Sequence, residues 1–177
     1  YGLGTADTYK GYKGEIVAGQ FETVLKSFEE KFGINYDSKL KLDSVATRGD
    51  VIEGLYGIIN LSVKPNENNS AVEYFANNAL IIVSTVGNYS LDRVCTNEEM
   101  LVFAKRAYDH IIYSLGQDAK GCFWKVSDEN NTVYLLGSIH ASDNSLYPLS
   151  KDILTAFVNS QALIVEANIL VQRPEEI

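Results

Sequence analysis

Between positions 15 and 32 the apolar residues fall at Val17, Phe21, Val24, Leu25, Phe28 and Phe32. That spacing lines one face of an α-helix, and Gly33 stands where a helix C-terminus favours glycine. A second one-faced run, Val51, Ile52, Leu55, Tyr56 and Ile59, predicts a helix over 48–59. Thr47 is its candidate N-cap, and Asp50 three positions on comes close to a capping box. Pro65 and the asparagines at 66, 68 and 69 then break the pattern into a loop. Ser70 and Glu73 form the next capping box, and Val72, Phe75, Ala76 and Ala79 carry a third helix to about Leu80. Ile81, Ile82 and Val83 either prolong it or make a short strand. The fourth helix has the clearest start. Thr96 caps, Glu99 completes the box, and Glu98 also suits the positive end of the helix dipole. Met100, Phe103, Ala104, Ala107 and Ile111 face inward, and Gly116 ends the run.

Beyond 116–121 the periodicity changes. Residues 123–126 carry a short strand signal, 128–131 (Asp-Glu-Asn-Asn) a turn, and 132–139 a β-branched and aromatic strand. Together they predict a β-hairpin. Pro148 and Ser150 introduce a helix with Ile153, Leu154, Phe157 and Val158 inward. The continuous apolar run at 162–165 suits a strand buried on both faces. Strand, helix and strand from 132 to 165 make a βαβ unit, which crosses over right-handed. The expected fold class is therefore mixed, α+β or α/β. A helical part covers 1–118, and a hairpin with a βαβ segment covers 119–177.

Composition narrows the function classes. Hydrophobic residues make up 46% and charged residues 21%, so the chain can bury a core. A net charge of −8 with no basic cluster gives no electrostatic footprint for nucleic acid. No apolar run reaches the roughly 18 residues of a membrane span. The chain opens at Tyr1 with no visible signal peptide, which leaves the compartment open. Cys95 and Cys122 read as small buried hydrophobes; a disulfide between them stays an alternative that spacing cannot decide. Asn68, Asn88 and Asn130 each begin an Asn-x-Ser/Thr triplet, and Asn130 fits the hairpin turn better. The eleven tyrosines suit surface or interface packing, or stacking on sugars.

Candidate chemistry collects at strand ends, because open parallel sheets bind ligands beyond the carboxyl ends of their strands. His140 stands just past one expected parallel strand and Glu166 at the end of the next. A histidine and a carboxylate on one rim can ligate a metal or act as a base and its partner. A structural histidine and a solvated glutamate are the plain alternative. Gly137 would let the backbone bend or approach a ligand closely just before His140.

The longer context is more specific. Phe123-Trp124-Lys125-Val126, then the run from Asn131 to Leu136 continuing Gly137-Ser138-Ile139-His140, then Ser145-Leu146-Tyr147-Pro148-Leu149, then Ala162-Leu163-Ile164-Val165-Glu166-Ala167, resembles the opening of the TraB/PrgY/GumN family, which includes the Tiki-type peptidases. The resemblance covers 121–170. It implies an α/β domain and, for Tiki-like members, a metal-dependent peptidase whose first Gly-x-x-His and a downstream Glu belong to the active site. Those roles carry over to Gly137, His140 and Glu166, with Zn, Mn or Co as the implied metal and a peptide or protein as substrate. The family's second His motif is missing here. The only other histidine, His110, lies in the fourth helix. The segment therefore reads as the N-terminal part of such a domain, inactive without its second half.

The helical part resembles S-layer homology repeats. Thr47-Arg48-Gly49-Asp50 is similar to their Thr-Arg-x-Glu helix start, 89–108 with Thr96-Asn97-Glu98-Glu99 looks like a further copy, and 20–33 like a third. The second copy lacks the arginine. In that family the repeats come in threes and hold secreted proteins to cell-wall polymers. The resemblance implies an extracellular or wall-associated protein with Thr47 and Arg48 near the polymer. Two other readings stand beside it: the threonines only cap helices, or the helical part only covers the sheet or mediates oligomer assembly.

Overall fold

The computed structural model describes residues 2–4, 11, 13–38, 40–41, 43–65, 69–82, 88–137 and 146–166. They form five helices and a two-stranded antiparallel hairpin, a mixed α+β arrangement with the helices of the N-terminal part first. The chain divides into two compact units, Tyr1–Asp118 with Asp143–Pro148, and Ala119–Ser142 with Leu149–Ile177.

The first unit is built on three long helices, α1 (Ala18–Phe32), α2 (Arg48–Val63) and α4 (Asn97–Ser114), with the short α3 (Ala71–Asn77) between the last two. Each long helix is entered from an extended residue, Val17, Thr47 or Thr96. The lead-in segments pair in a closed cycle of antiparallel bridges: Val17 with Val45, Thr47 with Val94, and Thr96 with Glu15. At its centre the Ile16 amide donates to the Cys95 carbonyl (3.1 Å), Cys95 to Ala46 (2.9 Å), and Ala46 back to Ile16 (3.1 Å). All three residues are fully buried. A second cycle lies one residue inside the helices. Ala18 donates to Ser44 at 2.8 Å, Arg48 to Arg93 at 2.9 Å and Asn97 to Gly14 at 2.9 Å. Positions 16, 46 and 95 are thus equivalent in a three-part arrangement, and every buried amide in it has a partner.

Caps fix where the helices begin. The Thr47, Ser70 and Thr96 hydroxyls accept from the amides of Asp50, Glu73 and Glu99, and each acid returns a bond to the cap amide. α1 starts at Ala18, and Val17 is half exposed where helical periodicity would turn it inward. The reason is a change of period. Residues 15–17 alternate as a strand does, so Ile16 is buried and Val17 is not. Gly33 ends α1 in the left-handed conformation, φ 62°. α2 runs on to Val63, four residues past the stretch expected from its apolar stripe. α3 stops at Asn77 instead of reaching Leu80. Ala79 turns left-handed at φ 55°, and the Leu80 and Ile81 amides both bond the Phe75 carbonyl. Leu80 and Ile81 are thereby buried, neither helix nor strand; Val83 lies outside the described residues. The core gathers Phe21, Phe28, Ile52, Leu55, Phe75 and Met100, each fully buried, and each such side chain contributes roughly 1.5–3 kcal/mol of apolar transfer.

In the second unit β1 (Phe123–Ser127) pairs antiparallel with β2 (Thr132–Leu136), Phe123 opposite Leu136 and Ser127 opposite Thr132. The Asp128 carboxylate accepts from the amides of Asn130 (2.8 Å) and Asn131 (2.6 Å), which closes the turn and holds its pKa below the usual carboxylate range. α5 (Lys151–Asn159) is capped by Ser150. Its inner face differs from the expected one. Ile153 and Ala156 are buried, whereas Leu154, Phe157 and Val158 are exposed. The strand expected at 162–165 carries no ladder. The run is irregular, with Ile164 94% exposed. A strand needs a neighbour to satisfy its backbone groups, and no neighbour to this run occurs among the described residues. The end of the expected second hairpin strand, from Ser138 onward, lies outside the described residues.

Candidate functional site

Arg48 opens α2, and its side chain is 9% exposed. Its guanidinium carbon lies 5.1 Å from the centre of the Phe103 ring. Nη1 donates to Glu99 Oε1 at 2.6 Å, and Nε donates to the Tyr89 carbonyl at 3.0 Å. Glu99 also pairs with Arg93, while its Oε2 accepts from the Thr96 amide at 3.1 Å. One carboxylate thus caps α4 and bridges two arginines. Burial alone would raise its pKa, but the Arg93 and Thr96 hydrogen bonds and the two positive charges outweigh that and hold it below the usual range.

Arg48 and Glu99, with Glu98, Val102, Phe103, Arg106 and Ile82, line a groove of about 240 Å³. Arg106 projects from the same face of α4, and its Nη1 donates to the Leu80 carbonyl at 3.2 Å. Guanidinium donors and carboxylate acceptors stand beside an aromatic and aliphatic wall. That combination can hydrogen-bond the hydroxyls of a ligand and pack against its apolar face.

Of the residues singled out from sequence, Thr47 and Arg48 adjoin at this site. The Thr47 hydroxyl is committed to its cap, donating to Asp50 Oδ2 at 2.8 Å and accepting from the Asp50 amide at 3.1 Å. Arg106, Phe103 and Glu99 were not singled out as a site. Their signal is the spacing 99, 102, 103 and 106, which puts four side chains on one stripe of α4.

The second candidate site lies in the other unit. The Gly137 amide donates to the Cys122 carbonyl at 2.7 Å, and a Cβ at 137 would come within 2.9 Å of the Cys122 Cβ. The close neighbour this glycine admits is therefore the opposite side of its own hairpin. Glu166 is exposed, and His140 lies outside the described residues. Residues 122–176 match the model of the TraB/PrgY/gumN family. No curated protein and no solved structure gives a match. The matched stretch takes in the hairpin, α5 and the apolar run after it, and includes Gly137, His140 and Glu166. Among the described residues no three His, Cys, Asp or Glu side chains come together to hold a metal ion. No helix among the described residues is long and apolar enough to cross a membrane.

Proposed function

We propose that the helical unit is a polymer-binding module that holds the TraB-type segment at a cell wall, outside the cell. The observation that carries this reading is the closed cycle of three equivalent lead-in segments and helices. It supports the resemblance to S-layer repeats read at 47–50, 89–108 and 20–33. The charged groove beside Arg48 supports it further, since it presents fixed donors and acceptors at the start of one such helix. Co-sedimentation with purified cell-wall polymer tests it. The chain should pellet with the polymer, and Arg48→Ala, checked by circular dichroism for retained helix, should weaken pelleting about ten- to a hundredfold, the loss of a single charge-assisted contact of roughly 1.5–3 kcal/mol. Failure of the unaltered chain to pellet would sink the reading.

The family match favours a second activity for the other unit. We infer that His140 and Glu166 contribute to a metal-dependent peptidase site, acting on a peptide or protein. Calorimetric titration with Zn²⁺, Mn²⁺ and Co²⁺ is the direct test. Heat of binding should appear for the chain and vanish in His140→Ala. A titration unaffected by that substitution removes His140 from the site.

A further inference from the structure

The ladder of the hairpin decides which backbone groups β1 keeps for other partners. The Gly137 amide bonds the Cys122 carbonyl at 2.7 Å, and the Asp128 amide bonds the Asn131 carbonyl at 3.0 Å. Positions 122 and 128 therefore point their hydrogen-bonding groups across the hairpin, and in an antiparallel pair such positions alternate. Trp124 and Val126 point the same way, whereas Phe123, Lys125 and Ser127 turn their amides and carbonyls to the outer side of β1. Among the described residues nothing pairs with that side. β2 is the ladder partner of β1, and no isolated bridge reaches 123–127. Lys125 and Ser127 are exposed there.

The side chains give this edge a chemical character. Lys125 is the one charged residue of the two strands. Its cross-strand neighbour is the neutral Tyr134, and among the described residues it makes no ion pair. The opposite face is apolar. Trp124 lies across from Leu135 and Val126 from Val133, all four more than half exposed.

These features select a partner. A strand edge with unpaired backbone accepts another extended segment. Side chains alternate along both strands, so the partner residue opposite Lys125 shares its face, and the residues flanking that one share the face of Trp124 and Val126. Opposite charges across such a pair stabilise it and like charges do the reverse. A second copy of β1 paired antiparallel about Lys125 would set lysine against lysine. An acidic residue between two apolar ones complements both faces. We infer that the outer edge of β1 docks an extended segment of a partner protein, antiparallel, with a glutamate or aspartate opposite Lys125 and apolar residues on either side of it. Neither the wall-binding nor the peptidase reading is needed for this.

Trp124, the chain's single tryptophan, reports on the edge directly. The full chain is titrated with a tryptophan-free peptide whose Val-Glu-Val core is flanked by threonines and glutamines, and Trp124 emission is followed. A saturable blue shift is expected. The matching Val-Lys-Val peptide should bind about fivefold more weakly, from the sign of one cross-strand charge pair. N-methylation of the peptide's glutamate, which removes the amide facing Lys125, should weaken binding about tenfold. Lys125→Glu, with the emission of the free protein unchanged, should invert the preference between the two peptides. No shift with either peptide would overturn the docking site. Binding indifferent to N-methylation would overturn strand pairing, and a preference unchanged in Lys125→Glu would overturn the role of Lys125. A concentration-dependent dimer that masks Trp124 without peptide would give the edge to a second copy and overturn the acidic partner.

Discussion

Two cysteines of similar sequence standing have opposite fates. Cys95 is fully buried at the centre of the three-part cycle, and its thiol lies 3.4 Å from the Thr96 carbonyl. Burial, reinforced by the Glu99 charge, pushes the thiol up to about 12 against the partial pull of Arg48 and Arg93. Cys122 is exposed at the base of the hairpin, so the expectation that both behave as buried hydrophobes holds for one only. Both are free thiols. At pH 8 a group titrating near 12 is thiolate in about one molecule in ten thousand, and only the thiolate reacts. Titration with a chromogenic disulfide should therefore release one equivalent from the native chain, from Cys122, and the second only in denaturant. Two equivalents released at similar rates without denaturant would show that the cycle opens. The difference was not legible in sequence, because both cysteines sit beside apolar and polar neighbours alike. What separates them is that residue 95 belongs to a segment closed from both sides by other segments, a long-range property.

At the scale of the element, sequence was most informative where local chemistry decides. The starts of α2, α3 and α4 were readable because a hydroxyl and an acid three residues later satisfy the free amides there. The end of α3 was not, because it is terminated by a non-glycine residue. Ala79 occupies the left-handed position that glycine usually fills, φ 55°, and left-handed backbone costs a Cβ-bearing residue roughly 1–2 kcal/mol. Ala79→Gly should thus stabilise the helical unit by up to about 1 kcal/mol after glycine's greater unfolded-state entropy is subtracted. Urea denaturation followed at 222 nm should show a higher midpoint, and a lower one would mean that the turn is not strained. Acid stability belongs to α4. The Glu99 pKa is depressed in the folded chain, so the stability it adds is present above its unfolded value of about 4.3. That stability is lost as pH falls through the folded value. The helical unit should therefore weaken below about pH 4. Glu99→Gln should be less stable at pH 7, since it leaves Arg48 and Arg93 without their shared counter-charge, and its melting temperature should change less between pH 5 and pH 3. Equal slopes in the two proteins would show that Glu99 is not the group responsible.

At the scale of the whole molecule the two units differ in how much they bury. The helical unit holds more than twenty buried apolar residues, whereas among the described residues of the other unit only Ile153 and Ala156 are apolar and buried. The hairpin and helix were legible there from local pattern. The apolar content of 162–165 states what a segment would gain from burial but not that a neighbour is present to bury it; Leu163, Ile164 and Val165 are all more than half exposed. The described part of that unit has little transfer free energy to set against its chain entropy. The chain carries a natural reporter of this imbalance, since its single tryptophan, Trp124, lies in β1 and is 56% exposed. Its emission should be red-shifted and readily quenched by acrylamide in the native chain. Far-UV circular dichroism, by contrast, is dominated by α1, α2 and α4. In a urea series the tryptophan signal should change first and over a broad range, followed by a steep loss of helix, because probes of one cooperative unit coincide and probes of two do not. Superimposable curves from both probes would instead show that the second unit draws its stability from the first.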